Sequence, residues 1–165
     1  TFGSGDLSFL PTTDAFLEGP PRIAGLWSDL LPIQPQTPGG VFVTTVSDED
    51  LGGTRFVVTW DRVPYFFATD VFNTFQISLN PDDTISICYF DVQSVPQPAG
   101  LRTLIGVGGG AEAPAGNVFL LDGDDNPRRL GPPAEPTPDG ALTGRILLYT
   151  FDPDLGTYRL RFSGE

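Results

Sequence analysis

The stretch TFQISLNPDDTISICYF, Thr74 to Phe90, decides the fold. Phe75, Ile77 and Leu79 alternate with Thr74, Gln76 and Ser78, the period-2 signature of a strand with one apolar face. NPDDT has the residue types of a tight turn. Ile85, Ile87 and Tyr89 then return on a common face, so the stretch predicts a β-hairpin whose apolar faces are aligned. Cys88 falls out of phase with Ile87 and Tyr89. The other face is not wholly polar, so Cys88 is expected to be a buried, inert thiol in a two-sided sheet.

Outward from this hairpin the same logic recurs. In RFVVTW, Phe56, Val58 and Trp60 share a face, and Trp60 is expected in the core. GVFVTTV (40–46) reads as a strand followed by the acidic turn SDEDLGG. LRTLIGVGGG reads as a short strand entering a glycine loop, and NVFLLDGDDNPRRL as a strand and polar turn. GRILLYTFDPDLGTYRLRFSG reads as a second hairpin, with Tyr158, Leu160 and Phe162 opposite Arg159 and Arg161. Only TDAFLEG, and with it IAGLWSDL, suits a helical turn or two. The chain is therefore expected to be all-β, an antiparallel β-sandwich of many short strands with long Gly/Pro-rich loops. The predicted core is Ile23, Leu26, Trp27, Phe56, Val58, Trp60, Phe75, Ile77, Leu79, Ile85, Ile87, Tyr89, Leu104, Tyr158, Leu160 and Phe162.

The chain of 165 residues fits one domain, with 1–20 as a lead-in and 116–165 supplying further strands and the C-terminal hairpin. The opening TFGSGD, without Met, is expected of a processed or excised product. Net charge is −12, which disfavours nucleic-acid phosphates and anionic lipid headgroups as partners. All nine basic residues are arginine. Such a surface suits a secreted or salt-exposed protein and equally a GC-rich genome. The sequence has no His, which removes Ser-His-Asp triads, imidazole bases and histidine metal ligands. The single Cys88 closes no intrachain disulfide and makes no zinc site. No apolar run is long enough for a transmembrane helix, so membrane insertion is not expected.

Few residues stand out as sites. Tyr65, Phe66 and Phe67 follow Pro64 and break the alternation, so at least one is expected at the surface. Beside Asp61 and Asp70 they form the candidate binding cluster, because sugar faces stack on aromatic rings. Asp122, Asp124 and Asn126 in LDGDDNP have the alternate oxygen spacing of calcium loops. The twelfth position of such a loop is Pro133, so they are weak calcium candidates and no cofactor is expected. Asp152 and Asp154 are a weaker pair, explained by the turn at Pro153 and Gly156. Asp48, Glu49 and Asp50 read as a solvated turn rather than an acid/base pair. The glycines of GVGGGAEAPAG lack the Lys-Ser/Thr ending of a phosphate loop. At the N-terminus, Phe2, Leu7, Phe9 and Leu10 are assembly candidates. Their segment is too apolar to float in water and too broken for a central strand. It packs on its own sheet or adds to the edge of a neighbouring copy.

A family resemblance emerges from four segments in order. PRIAGLWSDL (21–30) resembles the opening of the nidogen-like extracellular domain. TRFVVTWDRVPYF (54–66) resembles its central strand and valine-proline loop. NTFQISLNPDDTISICYFDV (73–92) resembles its hairpin, and LIGVGGG (104–110) its glycine-rich close. The similarity spans about residues 10–115. Gly25 stands where the family often has proline, YFDV replaces the common YGDI, and 116–165 lie beyond the match. The resemblance implies a non-enzymatic module at the cell surface or outside the cell, structural or adhesive, that associates with proteins, including copies of itself in a filament or matrix. The alternative is a glycan-binding module of a secreted or surface protein. The family supplies no catalytic residues to carry over.

Overall fold

The computed structural model describes residues 12–32, 39–93, 103–110, 117–121, 127–130 and 142–163. The elements are α1 (Thr13–Glu18), β1 (Arg22–Trp27), β2 (Gly40–Asp48), β3 (Gly53–Tyr65), β4 (Ala68–Leu79) and β5 (Thr84–Asp91). They continue as β6 (Thr103–Gly108), β7 (Asn117–Leu121), β8 (Pro127–Leu130), β9 (Ile146–Asp152) and β10 (Thr157–Ser163). The chain is all-β, and its strands pair antiparallel, as the sequence predicts. They form a four-stranded sheet, β1-β6-β7-β8, and a six-stranded sheet, β10-β9-β5-β4-β3-β2.

Two compact units are present. One carries α1 and the four-stranded sheet. The helix is a single capped turn: the Thr12 hydroxyl accepts from the Ala15 amide at 3.1 Å. It brings Phe16, fully buried, to 5.9 Å from the Trp27 ring, with Ala24 and Leu104 in the same cluster. The Arg22 guanidinium lies over the Trp27 ring, 4.6 Å from its centroid. IAGLWSDL is not helical. Its first half is β1, which pairs with β6 from Arg22↔Gly108 to Trp27↔Leu104. Pro20 and Pro21 supply no amide donors, and so short an apolar run cannot stabilise a helix alone, so the available ladder partner decides.

The other unit carries β2 to β5 with most of β9. The Thr74–Phe90 hairpin forms in the register that its alternation dictates: Phe75↔Tyr89, Ile77↔Ile87, Leu79↔Ile85. The pairing continues across the sheet as side-chain rows. One row runs Val43, Val58, Ile77, Ile87, Leu147; another runs Val41, Trp60, Phe75, Tyr89. Trp60 is 8% exposed and stacks on Phe75 at 4.7 Å, so its place is the core. On the opposite face Cys88 sits half-buried between Gln76 and Ile146, and burial raises its thiol above the ordinary value.

Six members of the expected core are only half-buried: Ile23, Trp27, Phe56, Leu79, Tyr158 and Phe162. The alternation assigns their face correctly, but residues near strand ends and outer strands keep part of their surface. Conversely Phe16, Val57, Val63, Tyr65, Ile105, Val107, Leu142, Leu147 and Tyr149 are buried without having been expected. In β6 every position is buried, so no alternation survives there to be read.

Candidate functional site

The aromatic cluster after Pro64 does not form a platform. Tyr65 is the last residue of β3 and has no exposed surface. Its hydroxyl donates to the Gln93 carbonyl at 3.1 Å, and its ring stacks on Phe67 at 5.4 Å. Its burial follows from pairing: Tyr65 bridges to Leu30 on one side, and the Leu31 amide donates to the Pro64 carbonyl at 2.9 Å. Tyr65 is therefore removed from the binding candidates. Phe67 is half-buried, and only Phe66, 61% exposed at the turn into β4, faces solvent. One exposed ring is an ordinary surface feature rather than a sugar-stacking surface.

Just before this turn β3 carries a bulge. Trp60 opposes Phe75 and Val63 opposes Asn73, so Asp61 and Arg62 together face Thr74. Arg62 adopts a left-handed φ of 49°. The Arg62 amide donates to the Thr74 hydroxyl at 3.1 Å, and the guanidinium lies 5.1 Å from the Phe72 ring centroid. Asn73, with no exposed surface, closes the bulge from behind. The Asn-Thr pair at the head of the hairpin is thus a structural clamp.

The acidic turns are also occupied by their own backbone. Asp48 Oδ1 accepts from the Leu51 amide at 3.0 Å, and Oδ2 lies 3.1 Å from Arg55. At Gly52 the chain passes through φ 68°, the left-handed conformation that suits glycine. Asp152 Oδ1 accepts from the amides of Asp154 and Leu155, while Oδ2 pairs with Arg159. These bonds, the Arg159 hydrogen bond first, hold the Asp152 carboxyl below its ordinary value. Among the described residues no three His, Cys, Asp or Glu side chains converge as a metal-binding group. The calcium candidates Asp122, Asp124 and Asn126 and the assembly candidates Phe2, Leu7, Phe9 and Leu10 lie outside the described residues.

The surface feature that sequence reasoning missed is β2. It is an edge strand of the six-stranded sheet, and its residues are exposed on both faces. Val41, Phe42, Val43 and Val46 are all among the exposed large apolar residues, Phe42 at 57% and Val43 at 60%. GVFVTTV reads plainly as a strand, but alternation carries no information about whether a strand is central or at an edge. The only available hint is the run without charge from Gly40 to Ser47 in a strongly acidic chain. Comparison with protein-family models, with curated proteins and with solved structures yields no match for this chain.

Proposed function

We propose that this chain is a non-enzymatic module of the nidogen-like type, working at the cell surface or outside the cell as a structural or adhesive element that associates with other proteins. The observation that supports this reading best is the β2 edge, a long, exposed, apolar strand with an open ladder side among the described residues. Such edges are templates for strand addition by another chain, where backbone hydrogen bonds give affinity and side-chain rows give selectivity. The four sequence segments that resemble the nidogen-like domain point the same way. The lack of histidine removes the commonest general base from consideration. The glycan-binding alternative loses its main support, because Tyr65 is buried and Phe66 stands alone.

The test is a solid-phase binding assay. Beads carrying the protein are offered surfaces coated with the same protein, with extracellular matrix proteins and with a panel of glycans. Retention on protein surfaces of either kind is the expected result. Retention on glycans alone would overturn the reading.

A further inference from the structure

We infer that β2 is the dimerisation strand of this protein: it pairs antiparallel with β2 of a second copy, about a two-fold axis midway between the two Thr44 residues. This deepens the proposed function by naming the partner, and it rests on that reading.

Natural edge strands are protected against such pairing by shortness, by Pro or charged side chains, or by a bulge. β2 has none of these. It runs nine residues, Gly40–Asp48, in unbroken register with β3 from Gly40↔Asp61 to Asp48↔Gly53. Between Gly40 and Ser47 it holds neither a charge nor a proline. The opposite edge of the same sheet is different, because β10 presents Arg159 and Arg161 to solvent. Of the two edges of this sheet, β2 is the unprotected one among the described residues.

The partner follows from symmetry and charge. Residues directly opposed in an antiparallel pair share a face of the sheet, so a two-fold axis normal to the sheet must set one residue opposite its own copy. With Thr44 opposite its own copy, the whole of β2 is used. Phe42 then faces Val46 of the second copy, Val43 faces Thr45, Val41 faces Ser47, and Gly40 faces Asp48. In the central pairs, Phe42 with Val46 and Val43 with Thr45, apolar meets apolar or β-branched side chains, the pairs that stabilise sheets. The rows that end in exposed Val41 and Val43 continue into the second copy instead of ending in water. Each copy carries a net charge of −12, so a like-charged partner is accepted only along an uncharged seam. β2 is such a seam. Its terminal Asp48 is already paired with Arg55 at 3.1 Å. The remaining repulsion is long-range and screened by salt, so dimerisation strengthens as ionic strength rises.

The experiment is sedimentation velocity from micromolar to millimolar protein at low and high NaCl. The wild type should shift from monomer to dimer with concentration, at lower concentration in high salt. Val43→Lys, at an exposed site, should keep the wild-type circular dichroism and weaken dimerisation by about tenfold or more, while Val43→Thr should preserve it. In a Cys88→Ala background, Thr44→Cys should form an interchain disulfide on mild oxidation, since opposed Cα atoms about 4.5–5.5 Å apart suit the bond. Ser47→Cys should not, because it faces Val41. A monomer under all conditions overturns the inference, as does a dimer that Val43→Lys leaves intact or that Thr44→Cys fails to link. In these cases binding to other matrix proteins in the solid-phase assay would still stand, so the two failures are distinguishable.

Discussion

Asn73 reaches from the middle of β4 to β3 on one side and to the segment after β5 on the other: its Nδ2 donates to the Val63 carbonyl at 3.3 Å, and its Oδ1 accepts from the Gln93 amide at 3.2 Å. The side chain is fully buried, and it sits where the β3 bulge interrupts the ladder. It therefore satisfies backbone groups that the bulge has displaced from regular pairing. Asn73→Ala leaves a buried carbonyl and a partly buried amide without this partner and should cost about 1–3 kcal/mol. Urea denaturation followed by circular dichroism measures this directly.

Trp60 is the largest side chain in its row, stacked on Phe75, which in turn contacts Tyr89 at 6.2 Å between ring centroids. Trp60→Ala opens a cavity against the Phe75 ring and should cost about 3–5 kcal/mol. Trp60→Phe, which keeps a ring in the stack, should cost clearly less. Chemical denaturation of both variants checks the order.

The hairpin 74–90 was legible because two conditions hold there at once: each strand has one apolar face, and a turn of four residues joins them. Phe75↔Tyr89 and Ile77↔Ile87 follow from alternation alone. Tyr65 was misread for a physical reason. Its neighbours in sequence break the period, but its burial is set by Leu30 and Gln93, far away along the chain. β1 was ambiguous because a six-residue apolar run fits helix and strand equally, and only the β6 ladder resolves it. The edge position of β2 depends on which strands lie beyond it, and that is not encoded locally in Val41–Val46. Thr74 reads only as a polar position of its strand, since the bulge that it and Asn73 serve appears only when β3 and β4 are aligned.

Gly39 and Gly40 offer a sharp contrast. A Cβ on Gly39 would lie 2.3 Å from the Asp61 carbonyl oxygen and 2.5 Å from that of Arg62, both backbone atoms of the bulge. A Cβ on Gly40 would meet nothing closer than the Phe42 ring at 3.6 Å. Gly39→Ala should therefore destabilise by about 1–3 kcal/mol or more, and Gly40→Ala should be close to neutral. Thermal melts of the two variants under identical conditions test the difference.

Asp152 gives the stability an acid-side dependence. Its folded carboxyl titrates below the ordinary value of 3.8, because Arg159 and two backbone amides favour the charged form. A carboxylate whose folded value is depressed contributes stability at pH above the unfolded value, and loses it as pH falls through the folded value. Asp152→Asn should thus lower the melting temperature near neutral pH, with the gap to wild type closing as the pH drops below about 4. The site is close to solvent, so the effect is small and best read as a difference between melting curves. A gap that stays constant down to strongly acidic pH would contradict the assignment.

Tyr65 and Tyr149 are both fully buried, yet their hydroxyls have opposite fates. The Tyr65 hydroxyl donates to the Gln93 carbonyl, whereas that of Tyr149 has no hydrogen-bond partner among the described residues. Removing a satisfied hydroxyl and an orphaned one should therefore change stability in different directions. Tyr65→Phe should cost about 0.5–1.5 kcal/mol, the net worth of one hydrogen bond. Tyr149→Phe keeps the ring against its row and discards a desolvated polar atom, so stability should stay unchanged or rise by about 1 kcal/mol. The same burial pushes the Tyr149 phenol far above its ordinary value of 10.0, and Tyr89 is raised as well. Above pH 10 the unfolded chain ionises these groups while the folded chain holds them neutral. The unfolded state then binds fewer protons, so stability falls as pH rises further. Tyr149→Phe removes one of these groups and should make the alkaline loss shallower than in the wild type. Denaturation midpoints at pH 8 and in steps above pH 10 give both readings from one set of samples, and an alkaline slope unchanged by Tyr149→Phe would show that its hydroxyl ionises in the folded chain.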